Sequence, residues 1–167
     1  MSDEGLTHIG PDGRPRMVDV SGKPTTSRTA VARGSIRMSG DTLRRLLQEG
    51  GSRKGDVLRV AELAGIQAAK RTGELIPLCH MLPAVSAEVE LTADPELPGI
   101  RATARARIQG STGVEMEALT AVSVALLTVY DMGKSLERGM QIGEIHLAEK
   151  QGGRSGHWHS EPDPAGD

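Results

Sequence analysis

One long apolar stretch constrains the fold of this chain more than any other feature of its sequence. Residues 114–129 are almost all apolar or small, apart from Glu115 and Glu117 near the start. The pattern predicts a helix over about residues 113–138. The stretch is shorter than the roughly 18 uninterrupted apolar residues expected of a membrane span. We therefore expect a core helix that does not cross a membrane.

Four segments alternate between apolar and polar residues, which is the period of a strand with one buried face. In residues 100–109, isoleucine and alanine alternate with arginine, threonine and glutamine. The other segments are residues 30–38, 84–92 and 140–149, and Gly143 marks a candidate bulge in the last. These segments predict four strands.

Two shorter helices are predicted between the first and second strands. The first opens at Asp41, and the second covers residues 57–71 with Val60, Ala64 and Ala68 as its apolar stripe. The order is strand, two helices, two strands, long helix, strand. It predicts an α+β, ferredoxin-like fold, in which an antiparallel four-stranded sheet packs against helices on one face.

A single domain flanked by two irregular segments follows from this order. Residues 1–29 are predicted as an irregular N-terminal arm, residues 30–151 as the ferredoxin-like domain and residues 152–167 as a flexible C-terminal tail. The chain opens with no targeting leader and has Cys79 as its one cysteine, so we expect a cytoplasmic protein. The arginine-bearing face of the sheet is expected to pack against another subunit.

The charge composition requires any phosphate site to be local. The formal net charge is −2, so no global field attracts nucleic acid or an anionic membrane. Four of the five lysines lie beside glycine-containing turns or helix ends, where ammonium and backbone N–H groups can reach phosphate together. These are Lys23, Lys54, Lys134 and Lys150. Solvated surface lysines are the competing interpretation, and no P-loop or Rossmann fingerprint is present.

Two constellations could carry chemistry. Asp131 and Lys134 are three residues apart on the long helix, so they could act together as a general acid and base with pKa values moved towards neutrality. An ordinary surface ion pair is the alternative. Residues 77–80 place Cys79 and His80 in a proline-bounded loop of the kind that binds ligands. A packed cysteine and a hydrogen-bonded histidine are the alternative there.

Cysteine and histidine spacing predicts no metal site. Cys79 and His80 are adjacent, without a second pair at the spacing of zinc ligands. The tail segment 157–159 is expected to be unstructured, and the histidines outside the loop have no setting that suggests a function. They are His8, His146, His157 and His159.

Seven motifs, taken in order, identify a family. They are LTHI at 6–9, MVDVS at 17–21, KGDV at 54–57, AGIQAAKRT at 64–72, IPLCH at 76–80, GVEMEALT at 113–120 and YDMGK at 130–134. Together they resemble the cyclic pyranopterin monophosphate synthases, the MoaC family of molybdenum cofactor biosynthesis. The resemblance covers residues 6–156. Several long motifs in the same order as in the family support it.

The resemblance implies a lyase whose catalytic domain is residues 30–151. Its substrate would be (8S)-3′,8-cyclo-7,8-dihydroguanosine 5′-triphosphate, a cyclised dihydro-GTP, and its products cyclic pyranopterin monophosphate and pyrophosphate. The implied catalytic residues are Asp131, Lys134 and Lys54. Our hypothesis is that the two lysines act as proton donor and acceptor, with Asp131 orienting or activating Lys134. The implied substrate-binding residues are Leu78, Cys79, His80, Met116, Glu117, Glu115, Asp19, Lys23, Arg28, Lys70 and Lys150.

The resemblance also implies an assembly. Family members form hexamers, as trimers of dimers, with sites at the dimer interface. Met116 and Asp131 lie about 20 Å apart along one helix, at about 1.5 Å per residue, so a neighbouring subunit would complete the site. No cofactor is expected for the chemistry and no nucleic-acid or membrane partner, and Mg²⁺ bound to triphosphate or pyrophosphate stays open.

Two other functions compete with this one. A ferredoxin-like module could bind the nucleotide without turning it over. An RNA-binding sheet is suggested by Arg101, Arg105 and Arg107, but the sheet lacks the aromatic residues on which RNA bases stack.

Overall fold

A computed structural model describes residues 8–48, 56–153 and 156–160 of the chain. In chain order, its elements are β1 (Thr26–Arg37), α1 (Gly40–Leu47), α2 (Val57–Lys70), α3 (Thr72–Leu75), β2 (Ser86–Asp94), β3 (Gly99–Gly110), α4 (Glu115–Gly133), β4 (Gln141–Gln151) and β5 (Trp158–His159). The prediction of an α+β chain with an antiparallel sheet is confirmed.

The sheet has five strands in the order β2-β3-β1-β4-β5, and every neighbouring pair is antiparallel. Alternation in β3 behaves as predicted: Ala102, Ala104 and Ala106 are buried, whereas Arg101 and Arg107 are exposed. The small alanines allow close packing of helices on this face. The predicted count of four strands is wrong, because β5 adds a fifth.

The helix α4 lies on the buried face of the sheet. Its side chains pack into the core through one continuous set of fully buried positions, which are Ala118, Ala121, Val122, Ala125, Leu126 and Val129. At Gly34 of β1 a side chain would collide with Val122 and Leu126, which shows how closely helix and strand approach. With 19 residues and a mean hydropathy of 1.2, α4 is long and apolar enough to cross a membrane, but it is the core helix of this fold.

The helix α2 packs against α4, and of the three residues in its predicted apolar stripe only Ala68 is buried. Val60 is 39% exposed, and the buried positions are Val57, Ala61, Gly65, Ala68 and Ala69. A side chain at Gly65 would meet the Ala121 carbonyl oxygen of α4. Small residues spread around much of α2, so helical spacing alone left more than one candidate stripe.

Both ends of the domain extend further than predicted. The strand β1 begins at Thr26, inside the predicted arm, and pairs there with Gly110. In the predicted tail, Trp158 pairs with Lys150, so the expectation that residues 157–159 are unstructured is wrong. A register shift in β4 lies beside Gly143, where Glu144 has a φ of 56°. This shift is the predicted bulge.

Candidate active site

The loop between α3 and β2 has a fixed shape although it forms no helix or strand. Leu78 has a φ of 64°, a left-handed conformation that L-residues rarely adopt. The Cys79 N–H donates to the Ile76 carbonyl oxygen (3.2 Å), and His80 Nε2 donates to the Val18 carbonyl oxygen (2.9 Å). The second bond ties the loop to the N-terminal segment. The hydrogen-bonded histidine was one of the two interpretations of this loop.

A cavity of about 460 Å³ lies where this loop, the N-terminal segment and the start of α4 meet. It brings together seven of the predicted substrate-binding residues, which are Lys23, Leu78, Cys79, His80, Glu115, Met116 and Glu117. Sequence motifs far apart in the chain therefore line one space.

Further lining residues were not predicted. They are His8, Val18, Val20, Ile76, Pro77, Leu82, Thr112 and Gly113. His8, for which the sequence suggested no ligand-binding setting, lines the cavity because the N-terminal segment folds back over it. No periodicity near His8 could have indicated this, since the segments that meet here are distant in the sequence.

Glu117 is the buried charge-bearing group of the cavity. It is 2% exposed, and its pKa is raised, first by burial and then by the nearby charge of Glu115. Burial also raises the pKa of the Cys79 thiol, with Glu117 adding to the shift. A thiol with a raised pKa stays protonated and is a poor nucleophile. The chemistry available here is therefore hydrogen bonding and proton transfer at a carboxyl group.

Glu115 connects the cavity to the sheet. Its carboxylate pairs with Lys150 of β4 at 3.0 Å, and the side chains of Glu115 and Lys150 are 30% and 28% exposed. A side chain at Gly113 would overlap this carboxylate, so a larger residue there would have to displace the Glu115 side chain. The pair places the Lys150 ammonium beside the cavity, although Lys150 is outside its lining.

Besides Lys150, three predicted substrate-binding residues lie outside the cavity lining. Lys70 lines a second cavity of about 260 Å³, which shares Leu82 and Glu117 with the first. Asp19 accepts a hydrogen bond from the Ser21 N–H (2.9 Å), which lowers its pKa. Arg28 donates from Nε to the Gly110 carbonyl oxygen (2.9 Å).

The predicted catalytic pair lies at the opposite end of α4. Lys134 Nζ is 2.7 Å from Asp131 Oδ1, and the two side chains are 55% and 54% exposed. The hydrogen bond and the charge of Asp131 raise the pKa of Lys134. The expected movement of this pKa towards neutrality is wrong, because the pair is exposed and the carboxylate stabilises the ammonium. Lys54, the third predicted catalytic residue, lies outside the described residues.

Comparison with known proteins gives matches that all point to one family. The profile of the MoaC family matches residues 17–153. A cyclic pyranopterin monophosphate synthase from Cereibacter sphaeroides strain KD131 is 59% identical over 93% of this chain and 98% of its own length. Proteins of the same name from Methylobacterium nodulans and Brucella ovis are 60% and 55% identical, over 94% and 96% of this chain and 98% and 96% of their own lengths.

Proposed function

Since the chain belongs to the MoaC family, we propose that it is the cyclic pyranopterin monophosphate synthase of its molybdenum cofactor pathway. It is a lyase that converts the cyclised dihydro-GTP to cyclic pyranopterin monophosphate and releases pyrophosphate. The observation that carries this proposal is the convergence of the 76–80 and 113–120 motifs on one cavity beside Lys23.

The cavity suits a nucleotide-derived substrate. Its volume is about 460 Å³. Small-molecule sites have volumes of roughly 300–1,000 Å³. Lys23 in the lining and Lys150 at its edge offer cations to phosphate oxygens, and Glu117 offers a buried carboxyl group to a ring nitrogen. Anion binding and heterocycle recognition are thus available in one space.

The remaining catalytic groups come from a second subunit in this proposal. Asp131 and Lys134 are at the far end of α4, about 20 Å from Met116 by helix rise. They are more than half exposed, so a neighbouring chain's cavity can reach them. A homohexamer built as a trimer of dimers would supply each cavity with Lys134 and Asp131 from the partner. The raised pKa keeps Lys134 protonated at neutral pH, so we assign it as the proton donor and Lys54 as the acceptor.

The finer setting of the enzyme is part of the same proposal. The strand order β2-β3-β1-β4 with its antiparallel pairs supports a ferredoxin-like domain extended by β5. The protein acts in the cytoplasm on a small nucleotide, needs no cofactor for the chemistry and has no nucleic-acid or membrane partner. Mg²⁺ enters only as a companion of triphosphate or pyrophosphate.

Incubation of the purified protein with the cyclised dihydro-GTP tests the proposal. We expect pyranopterin and pyrophosphate in equal amounts, and no product from GTP, which lacks the cyclised bond. Saturable binding of the cyclised nucleotide without pyrophosphate release would contradict the proposal and indicate a binding module.

A further inference from the structure

A cluster of metal-ligating side chains lies away from the cavity, where β4 and β5 pair. Glu149 of β4 is in register with His159 of β5, and Lys150 with Trp158. Because side chains alternate between the faces of a sheet, Glu149 and His159 project to one face and Lys150 to the other. Lys150 reaches Glu115 at the cavity, so the cluster lies on the opposite face of β4.

A glycine turn brings the tail back along β4. Gly152 has a φ of 92°, and Gly153 and Gly156 also have positive φ values. Glycine adopts this conformation without steric cost. The Gly152 N–H donates to the Gly156 carbonyl oxygen (3.1 Å), and the Ser160 N–H donates back to β4. The turn therefore aligns two histidines, two residues apart, with a carboxylate on the neighbouring strand.

The distances within the cluster are close to those of a single-ion site. His157 Nε2 is 2.9 Å from Glu149 Oε1, and the rings of His157 and His159 are 4.0 Å apart. One ligand atom from each of the three side chains lies within 4.8 Å of the others. Ligands bound to Zn²⁺ at about 2.0–2.2 Å lie roughly 3–4 Å from each other, so small side-chain rotations bring the three to that spacing.

We propose that Glu149, His157 and His159 bind one divalent transition-metal ion of the Zn²⁺, Co²⁺ or Ni²⁺ class. Imidazole nitrogens with one carboxylate suit these borderline ions, whereas Mg²⁺ prefers oxygen ligands alone. Binding replaces the His157–Glu149 hydrogen bond with two metal bonds. Gln151 contacts both Glu149 and His157 and can offer its amide oxygen as a fourth ligand.

The consequence of binding is a cross-link between β5 and β4. Within the described residues, β5 is a two-residue edge strand that meets only β4 in the sheet. An ion held by Glu149 on one strand and two histidines from the other fixes this short strand in place. If Glu149 and His157 form only an ion pair, His159 has no part in it, whereas the metal site requires His159. Replacing His159 therefore distinguishes the two interpretations. The proposal does not depend on the enzymatic activity, since the cluster and the cavity lie on opposite faces.

Calorimetric titration of Zn²⁺ into the chelator-treated full-length chain tests the site. We expect one ion per chain, and at least about tenfold weaker binding in both His157→Gln and His159→Gln, because losing even an outer-shell partner costs roughly 10–100-fold. His146→Gln is the matched control, since His146 is an exposed histidine of β4 whose Nδ1 lies 2.7 Å from the Glu144 carbonyl oxygen. Its affinity for Zn²⁺ should equal that of the wild type.

Amide hydrogen exchange gives an independent readout. The Ser160 N–H donates to the Ala148 carbonyl oxygen (3.0 Å), so its exchange reports on the attachment of β5. Zn²⁺ should slow this exchange in the wild type and in His146→Gln, and leave it unchanged in His159→Gln. The proposal is overturned if no stoichiometric binding occurs, or if all three variants bind Zn²⁺ with wild-type affinity.

Discussion

The two ends of α4 carry charged groups in opposite environments. At the start, Glu117 is almost fully buried, and its pKa is raised by burial. At the end, Asp131 and Lys134 form a pair that is more than half exposed, and the carboxylate raises the pKa of the ammonium. Both ends therefore hold a proton more firmly than the isolated groups, for unrelated reasons.

This difference separates two tasks that one helix could not perform in one place. A buried carboxyl group beside a cavity can recognise a ligand but is costly to ionise. An exposed ion pair is accessible to a second molecule and contributes little to the stability of its own chain. In our account, the start of α4 binds substrate in its own subunit, and the end of α4 delivers a proton to the substrate of a partner.

The largest expected effect is on catalysis at the exposed end. Lys134→Ala should lower the rate of pyrophosphate release by about 10²–10⁴-fold, as expected when a general acid is lost. The free energy of unfolding should stay close to that of the wild type, since exposed substitutions rarely change it. Enzyme assay and denaturant unfolding measure the two quantities. Arg44→Ala, which removes another exposed pair of the same spacing, should leave the rate unchanged.

The same pair predicts a change in pH dependence. Asp131 raises the pKa of Lys134, so a proton-donating Lys134 keeps its proton to a higher pH than an isolated lysine. In Asp131→Asn the alkaline limb of the pH–rate profile should move to lower pH. An unmoved limb would mean that Lys134 is not the group whose proton is lost there.

A smaller effect is expected on the unfolding free energy when each of the two ion pairs is broken. Lys150→Met removes a pair whose side chains are 28% and 30% exposed. We expect this variant to lose about 2 kcal/mol of unfolding free energy, between the values for exposed and buried pairs. Asp131→Asn breaks an exposed pair and should change the unfolding free energy little. Denaturant unfolding of both variants measures the two losses. Equal losses would contradict the expectation that the less exposed pair contributes more to stability.

The smallest effect concerns pH and stability at the buried end. The pKa of Glu117 is higher in the folded chain than its usual value of 4.5, so its contribution favours folding at low pH and is lost as pH rises. Glu117→Gln should therefore gain stability relative to the wild type as pH rises above 4.5, and the gain should grow until the folded-state carboxyl group has ionised.

Glu137 is the matched control for that measurement. The Ser39 N–H donates to its carboxylate, and with the hydroxyl groups of Ser39 and Thr42 this lowers its pKa. The ionised Glu137 carboxylate stabilises the folded chain above the usual pKa of a glutamate, and this stabilisation is lost as pH falls. Glu137→Gln should therefore lose unfolding free energy relative to the wild type, and the loss should grow as pH rises. The loss in this variant and the gain in Glu117→Gln therefore have opposite signs. If the change in unfolding free energy varied with pH in the same direction for both variants, the account would be contradicted.

Local patterns predict the long elements of this fold. Alternation in residues 100–109 and the apolar stretch of α4 each repeat often enough to define a period and a buried face. The strand β5 has two residues, which is too short to show a period, and its partner lies across a glycine turn. Thr26–Arg37 extends into a polar segment because the neighbouring β3 continues to Gly110, which the local sequence does not indicate.

The resemblance to the family indicated seven of the residues that line the larger cavity, but local sequence patterns did not indicate that these residues meet. Charges at 115, 117, 131 and 134 were visible along one helix, while their burial depends on chain segments distant in sequence. Val18 holds His80, and His8 lines the cavity, only because the N-terminal segment folds across the loop. The direction of the Lys134 pKa shift follows from exposure, which tertiary structure sets.

Mixing two impaired variants tests most directly whether the two ends of α4 act in different subunits. Lys134→Ala alters the exposed end and Glu117→Gln the buried end, so each variant alone should be impaired. If each site takes one end from each of two chains, co-expressed chains form mixed dimers in which one of the two sites is intact. Random mixing should then restore about a quarter of wild-type pyrophosphate release. Activity no higher than that of the separate variants would contradict the account.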